Sequence, residues 1–242
     1  MSQRISRSRA TAEEEIQRAY YARVGHHAGH GASPDEHRFP LSILLGALDY
    51  LDARSVLEVG AGSGSSMAFL KAKRPDLHVA GVEPVPESRE LAYQRGIGRQ
   101  ELVEGSVLDL PFPSGSVDVV CALAVLHHVR EHGHAVSEMI RVARKAVFIS
   151  DGNNFGQGGP LVRFVKQMLK AARLWSLADW AKTRGKGYTL SEGDGLAYSY
   201  SVFSDYELLA ARCRSVHVMN TVPAAGMNPY RTASHVVVLA MK

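Results

Sequence analysis

An α/β fold built on a doubly wound, mostly parallel sheet is what two observations in this sequence predict. Short β-rich runs alternate with helix-competent runs between residues 55 and 150, the pattern of a parallel sheet covered on both faces. A glycine-rich turn, Gly60-Ala61-Gly62-Ser63-Gly64, follows the first of those strands at once. Glycine there lets the backbone take positive φ and lets a ligand approach the main chain closely.

The elements follow in order. Residues 1 to 10 read as a frayed polar tail, and Thr11 with Glu14 forms a capping box for a helix from Ala12 to Val24. His26, His27 and His30 then sit in a short glycine-rich loop without a carboxylate or cysteine at metal-ligand spacing, which favours a loop near the site mouth over a zinc site. Pro40 opens a helix to Leu51 with leucines on one face. Strands are expected at Ser55 to Val59, His78 to Val82, Gln100 to Glu104, Val117 to Ala122 and Ala146 to Ser150, with helices between them. Right-handed crossovers bring all their carboxyl ends to one edge, so the residues just after each strand line one crevice.

Glu83 closes the second strand a little over twenty residues past Gly60, where a carboxylate can accept hydrogen bonds from both hydroxyls of a ribose. Two details oppose a dinucleotide: Ser65 stands where the third glycine of that fingerprint belongs, and Glu58 lies two residues before the first. A carboxylate aimed into the loop suits an ammonium better than a pyrophosphate.

Four motifs in order carry a resemblance. They are Val56-Leu57-Glu58-Val59-Gly60-Ala61-Gly62-Ser63-Gly64, then Gly81-Val82-Glu83-Pro84, then Leu110-Pro111-Phe112-Pro113 with Ser116-Val117-Asp118-Val119-Val120, then Val125-Leu126-His127-His128-Val129. The chain resembles the class I S-adenosylmethionine-dependent methyltransferases, in particular the small-molecule, type 11-like group. The resemblance implies a seven-stranded Rossmann-like sheet with its last strand antiparallel, and S-adenosylmethionine as cofactor. It assigns Glu58, Gly60, Ala61, Gly62 and Gly64 to the methionine part, Glu83 and Pro84 to the ribose, and Ser106 and Val107 to the adenine, with Asp109 as an alternative there. The Ala122 carbonyl is expected to meet the cofactor's amino group.

Two further positions are expected to serve the reaction. His127 is a packing or covering imidazole on one reading and a general base on the other, since imidazole titrates near neutrality. Ser150-Asp151-Gly152-Asn153-Asn154 resembles the acid-plus-asparagine pair of metal-dependent catechol-type enzymes, but Ala122, Leu123 and Ala124 supply no partner acid. Metal-independent transfer is therefore expected, with Asp151 acting at the catalytic centre and Tyr20, Asn153, Asn154, Tyr200 and Arg231 facing the acceptor.

Phe155 to Tyr200 exceeds the short connection the minimal fold needs and is expected to form a specificity element. Its apolar helical stripe from Leu161 to Trp180 is expected to pack on the domain rather than on a membrane. Ser204 with Glu207 caps a helix to Arg212, and Ser215 to Thr221 and His235 to Met241 complete the sheet. The organisation is thus residues 1–39 as tail, helix and histidine-rich cap, 40–150 as core, 151–203 as lid, and 204–242 as closing helix and strands.

Composition bounds the rest. With 242 residues and 45% hydrophobic content the chain can bury one sizeable core. The net charge of +4 is dispersed, and no N-P-P-Y type motif for a flipped base follows the fourth strand. Two cysteines without metal spacing read as reduced thiols, and no apolar run reaches the length of a membrane span. The expectation is a cytoplasmic monomer or homodimer that methylates a small molecule, oxygen favoured, with no nucleic-acid or membrane partner. An RNA or protein methyltransferase and a non-catalytic binding module are the competing readings.

Overall fold

Apolar β-branched runs and amphipathic helices build the sheet-and-helix alternation seen in the computed structural model, which describes residues 15–20, 23, 34–222 and 226–242. The expected Thr11–Glu14 box, the histidine cluster at 26–30 and the end of the first helix lie outside the described residues; residues 15–20 are helical. The elements that follow are α1 (Pro34–Tyr50), β1 (Ser55–Val59), α2 (Ser65–Lys73), β2 (His78–Val82), α3 (Pro86–Gln94), β3 (Leu102–Val103), β4 (Val117–Leu123), α4 (His132–Val142) and β5 (Ala143–Gly152). After these come α5 (Pro160–Ala171), α6 (Trp175–Lys182), β6 (Thr189–Ser191), β7 (Gly195–Ala197), α7 (Tyr206–Arg212), β8 (Ser215–Asn220), α8 (Pro229–Thr232) and β9 (His235–Met241).

Seven strands form one sheet in the order β3-β2-β1-β4-β5-β9-β8. The first five are parallel, and β9 runs antiparallel to both β5 and β8. Alternation along β1 sends Leu57 and Val59 to the core beneath α4, with Met139, Val136 and Ile149. It sends Val56 to the opposite core, with Leu44, Met67 and Phe148 under α1 and α2. Both faces are therefore dry, which leaves the carboxyl edge of the sheet as the place where polar groups gather.

Several boundaries differ from expectation for local reasons. The helix expected to open at Pro40 opens at Pro34 and carries Pro40 inside it; Pro34 suits a first turn equally well, and an internal proline removes one backbone hydrogen bond. The third strand shrinks to Leu102–Val103, because it pairs with β2 alone at the sheet edge. β4 runs one residue past Ala122, so the first residue to leave the sheet is Ala124, at φ 56. No capping bond forms from Ser204; Asp205 precedes α7 instead and takes hydrogen bonds from Tyr200 and His132.

Candidate active site

The glycine loop lies at the tip of β1, and the conformations of two of its glycines set its shape. Gly60 has φ 66, and a Cβ there would sit 2.7 Å from Cγ2 of Val125. Gly62 has φ 52 with open space in front of it, and its N–H donates to Oε2 of Glu83 at 2.8 Å. The other carboxylate oxygen of Glu83 accepts from the N–H of Val85 at 2.9 Å. Burial pushes the Glu83 carboxyl up from its ordinary range, against the pull of those two N–H groups.

A cavity of about 220 Å³ opens over this loop. Gly60, Gly62, Glu83 and Pro84 form one side, Ser106, Val107 and Leu108 another, and Ala124, Val125 and His128 a third. Gln17 and Arg18 reach it from residues 15–20, and Arg130 and Tyr198 stand at the far end with the guanidinium 5.1 Å over the Tyr198 ring. Asp109, the alternative adenine contact, is exposed on the loop and is not among the lining residues. Ala122 is buried within β4 and does not line the cavity either; Ala124 takes that place because the strand runs on.

Glu58 lies beneath the loop rather than in the cavity wall. Its side chain is buried, and its Oε2 has no hydrogen-bond partner among the described residues. Burial raises its pKa to about 8 despite a hydrogen bond from Ser66, and the neighbouring charge of Glu83 adds to the rise.

Asp151 is fully buried at the end of β5. Oδ2 accepts from the N–H groups of Val125 and Leu126 at 3.0 and 2.8 Å, while Oδ1 accepts from the Gly152 N–H at 2.6 Å and pairs with Nδ1 of His127 at 2.7 Å. Three of these bonds, to Val125, Leu126 and His127, hold the turn that carries Val125, His127 and His128. The expectation that Asp151 acts at the catalytic centre is corrected: its oxygens are committed to the main chain and to His127, so it positions that turn.

His127 is clamped between two carboxylates, with Nδ1 on Asp151 and Nε2 3.2 Å from Oδ2 of Asp194. Burial disfavours the imidazolium, but the charges and hydrogen bonds of Asp151 and Asp194 outweigh it and raise the pKa to about 10. A ring that keeps both protons at neutral pH has no lone pair to offer, so the general-base reading of His127 does not fit this geometry. Burial also works against the charge of Asp194, yet the hydrogen bonds of the two histidines hold its carboxyl well below the usual range. Because the His127 pKa is raised, the stability from this pair is present in full below about pH 6.5 and is lost as pH rises through about 10. Thermal melts of the wild type should therefore fall more steeply from roughly pH 8 to 10 than those of His127→Gln. Parallel curves would remove the clamp.

Sequence reasoning missed Asp194, which stands between Gly193 and Gly195. It sits at the turn of the β6–β7 hairpin, and its Oδ1 is 3.4 Å from Nε2 of His128. Among the described residues, His127, His128 and Asp194 are the group whose ligand atoms gather closely enough, within 4.8 Å, to hold a metal ion. Gln17 was missed as well. Its Oε1 accepts from the Leu196 N–H at 2.6 Å, and its amide nitrogen is 3.3 Å from the Asp194 carbonyl and from Nδ1 of His128.

The five residues expected to face the acceptor lie away from this cavity, most of them with polar atoms bound elsewhere, though Nδ2 of Asn154 has no partner among the described residues. Tyr20 packs under Gly195 and donates its hydroxyl to the Glu192 carbonyl. Asn153 donates to the carbonyls of Tyr230 and Ala233 and accepts from Ser201, tying the chain after β5 to α8. Asn154 accepts from Lys166 at 3.0 Å. Tyr200 is buried with its hydroxyl on Asp205 at 2.9 Å, and Arg231 is exposed on α8. None of the five is among the residues lining the cavity.

Residues 57–149 match the model of a family described as a methyltransferase domain. The core of this chain, from β1 to β5, is similar to a methyltransferase domain. It is 29% identical over 103 residues to ajmaline N-methyltransferase of Rauvolfia serpentina, covering 40% of this chain and 34% of that one. It is 30% identical over 106 residues to the 27-O-demethylrifamycin SV methyltransferase of Amycolatopsis mediterranei, covering 42% and 39%. The matched region thus spans little more than a third of the length of these relatives. An S-adenosylmethionine-dependent methyltransferase from Thermotoga maritima shares the fold, with a TM-score of 0.52 at 18% identity over 86% of this chain and 91% of that one. S-Adenosylmethionine is the cofactor this similarity implies, and the residues present fit it: a cradle of glycines, the carboxylate of Glu83 fixed beside it and an orphaned buried carboxylate oxygen on Glu58 beneath it.

Proposed function

We propose that the protein transfers a methyl group from S-adenosylmethionine to a small-molecule acceptor, oxygen favoured, without a metal ion on the reacting atoms. The observation that carries this reading is the cavity floored by Gly60 and Gly62 and flanked by Glu83. The Glu83 carboxylate would take the ribose hydroxyls, the Ser106–Leu108 stretch would border the adenine, and Glu58 under the loop would attract the amino end. The cofactor, when bound, supplies a methyl on a cationic sulfur, which already activates the leaving group. The chain's task is then to orient the acceptor and exclude water. Residues 151–203 serve as lid, with the β6–β7 hairpin clasped to His127 and His128 through Asp194. His128 lines the cavity wall with Nδ1 2.6 Å from the Leu196 carbonyl and Nε2 3.4 Å from Asp194, so it holds the hairpin in place and no side chain is assigned as base.

Calorimetry with S-adenosylhomocysteine, followed by labelled methyl transfer to a metabolite extract, tests this. Saturable binding and label in the small-molecule fraction are expected, insensitive to EDTA. Tight binding with no transfer would identify a binding module, and label in RNA or protein would move the acceptor class. Loss of activity in EDTA that zinc restores would place a metal on His127, His128 and Asp194.

A further inference from the structure

The helix α5 is mounted inside out. Its polar side faces the body: Arg163 donates to the Thr232 carbonyl at 3.2 Å, Lys166 to the Asn154 carbonyl at 2.7 Å, and Gln167 to the Arg231 carbonyl at 3.1 Å, while the Lys170 ammonium lies 4.7 Å over the Phe155 ring. Its apolar stripe, Leu161, Phe164, Val165 and Met168, recurs at helical spacing on the outer side, with Leu161 75% and Phe164 61% exposed. The expectation that this stripe packs on the domain is thereby corrected, because side-chain hydrogen bonds to loop carbonyls take the inner face. Leu174, just before α6, and Leu177 and Trp180 on it are exposed as well, as is Leu190 of β6. Contiguous exposed apolar surface on this scale marks an interaction site.

Charge says which partner fits. Residues 155–190 hold seven basic side chains and one acid, Asp179, leaving 21 basic against 23 acidic residues for the rest of the chain. The positive excess of the protein is thus concentrated on this segment, and Lys170, Arg173, Lys182, Arg184 and Lys186 are exposed there. A second copy meeting the same face would bring like charges together, whereas lipid headgroups of opposite sign would not. An apolar stripe with flanking cations and an exposed tryptophan is the chemistry of a helix that lies in a membrane interface. No helix among the described residues is long and apolar enough to cross a membrane, so the contact would be peripheral.

We propose that the outward face of α5 and α6 docks on an anionic lipid surface. Of the two tryptophans of the chain, both on α6, Trp175 packs on Phe155 and Trp180 is 62% exposed, so a change in emission reports from Trp180 at the contact. The full chain is titrated with phosphatidylcholine vesicles and with vesicles containing phosphatidylglycerol. A blue shift and co-sedimentation with the anionic vesicles are expected, both reversed by salt. Lys182→Glu with Arg184→Glu should weaken partitioning at least about 25-fold, at about fivefold per exposed basic side chain. Phe164→Glu with Leu177→Glu should abolish it while leaving the melting temperature and cofactor affinity unchanged, since both side chains are exposed. No shift on anionic vesicles overturns the proposal, as does equal binding to pure phosphatidylcholine. An emission shift that follows protein concentration without lipid, and is lost in the same variant, overturns it in favour of self-association.

Discussion

Gly60→Ala should raise the dissociation constant for S-adenosylhomocysteine by about 100-fold, close to 3 kcal/mol. Two costs combine at this residue. A Cβ at φ 66 carries the left-handed penalty of about 1 kcal/mol, and it would sit 2.7 Å from a methyl of Val125, well inside contact distance. Val125 cannot retreat freely, because its N–H is held by Asp151. The loop must move instead, and with it the Gly62 N–H that fixes Glu83. Because the steric part depends on one partner, Gly60→Ala combined with Val125→Ala should recover some of the lost affinity while the backbone cost remains. Calorimetry on the two variants checks both halves, and affinity within about threefold of wild type in Gly60→Ala would mean that the loop is not the floor of the cofactor site.

Asp151→Ala should destabilise the protein by about 3–5 kcal/mol, the range for breaking a buried charged pair. The substitution leaves the N–H groups of Val125, Leu126 and Gly152 without their acceptor and removes one of the two carboxylates that hold His127. Urea unfolding followed by circular dichroism would show it as a lowered midpoint at unchanged slope. Cofactor affinity should fall with stability, because Ala124 and Val125 line the cavity from the same turn. The alternative assignment of Asp151 to the acceptor makes the opposite forecast: normal stability, normal cofactor affinity and lost turnover.

The sheet and the position of the cavity over the glycine loop were legible because they rest on local signals. Ser55–Val59 and His78–Val82 are apolar runs bounded by turn residues, and the observed strands have those bounds. Gly60, Gly62, Glu83, Pro84, Ser106 and Val107 all reach the cavity because each follows a parallel strand, and parallel strands share one carboxyl edge. The acceptor side was not legible for the converse reason. Whether Asp151 or Asn153 faces a ligand depends on whether its polar atoms are already taken by main chain, 26 and 80 residues away, and Tyr200 is spoken for by the Asp205 carboxylate. Asp194 illustrates the same limit, since only the paired hairpin brings it to His127 from 67 positions further along. For α5 the period of the apolar stripe was readable, but not its direction. Periodicity defines a face without saying which side the body lies on.

The clasp between Gln17, the hairpin and His128 bears on how long a nucleoside stays. Segments 179 residues apart in sequence meet over the cavity through a few hydrogen bonds, so neither can swing aside while the other holds. If the cavity holds a nucleoside as proposed, how long it stays would depend on how readily this clasp parts.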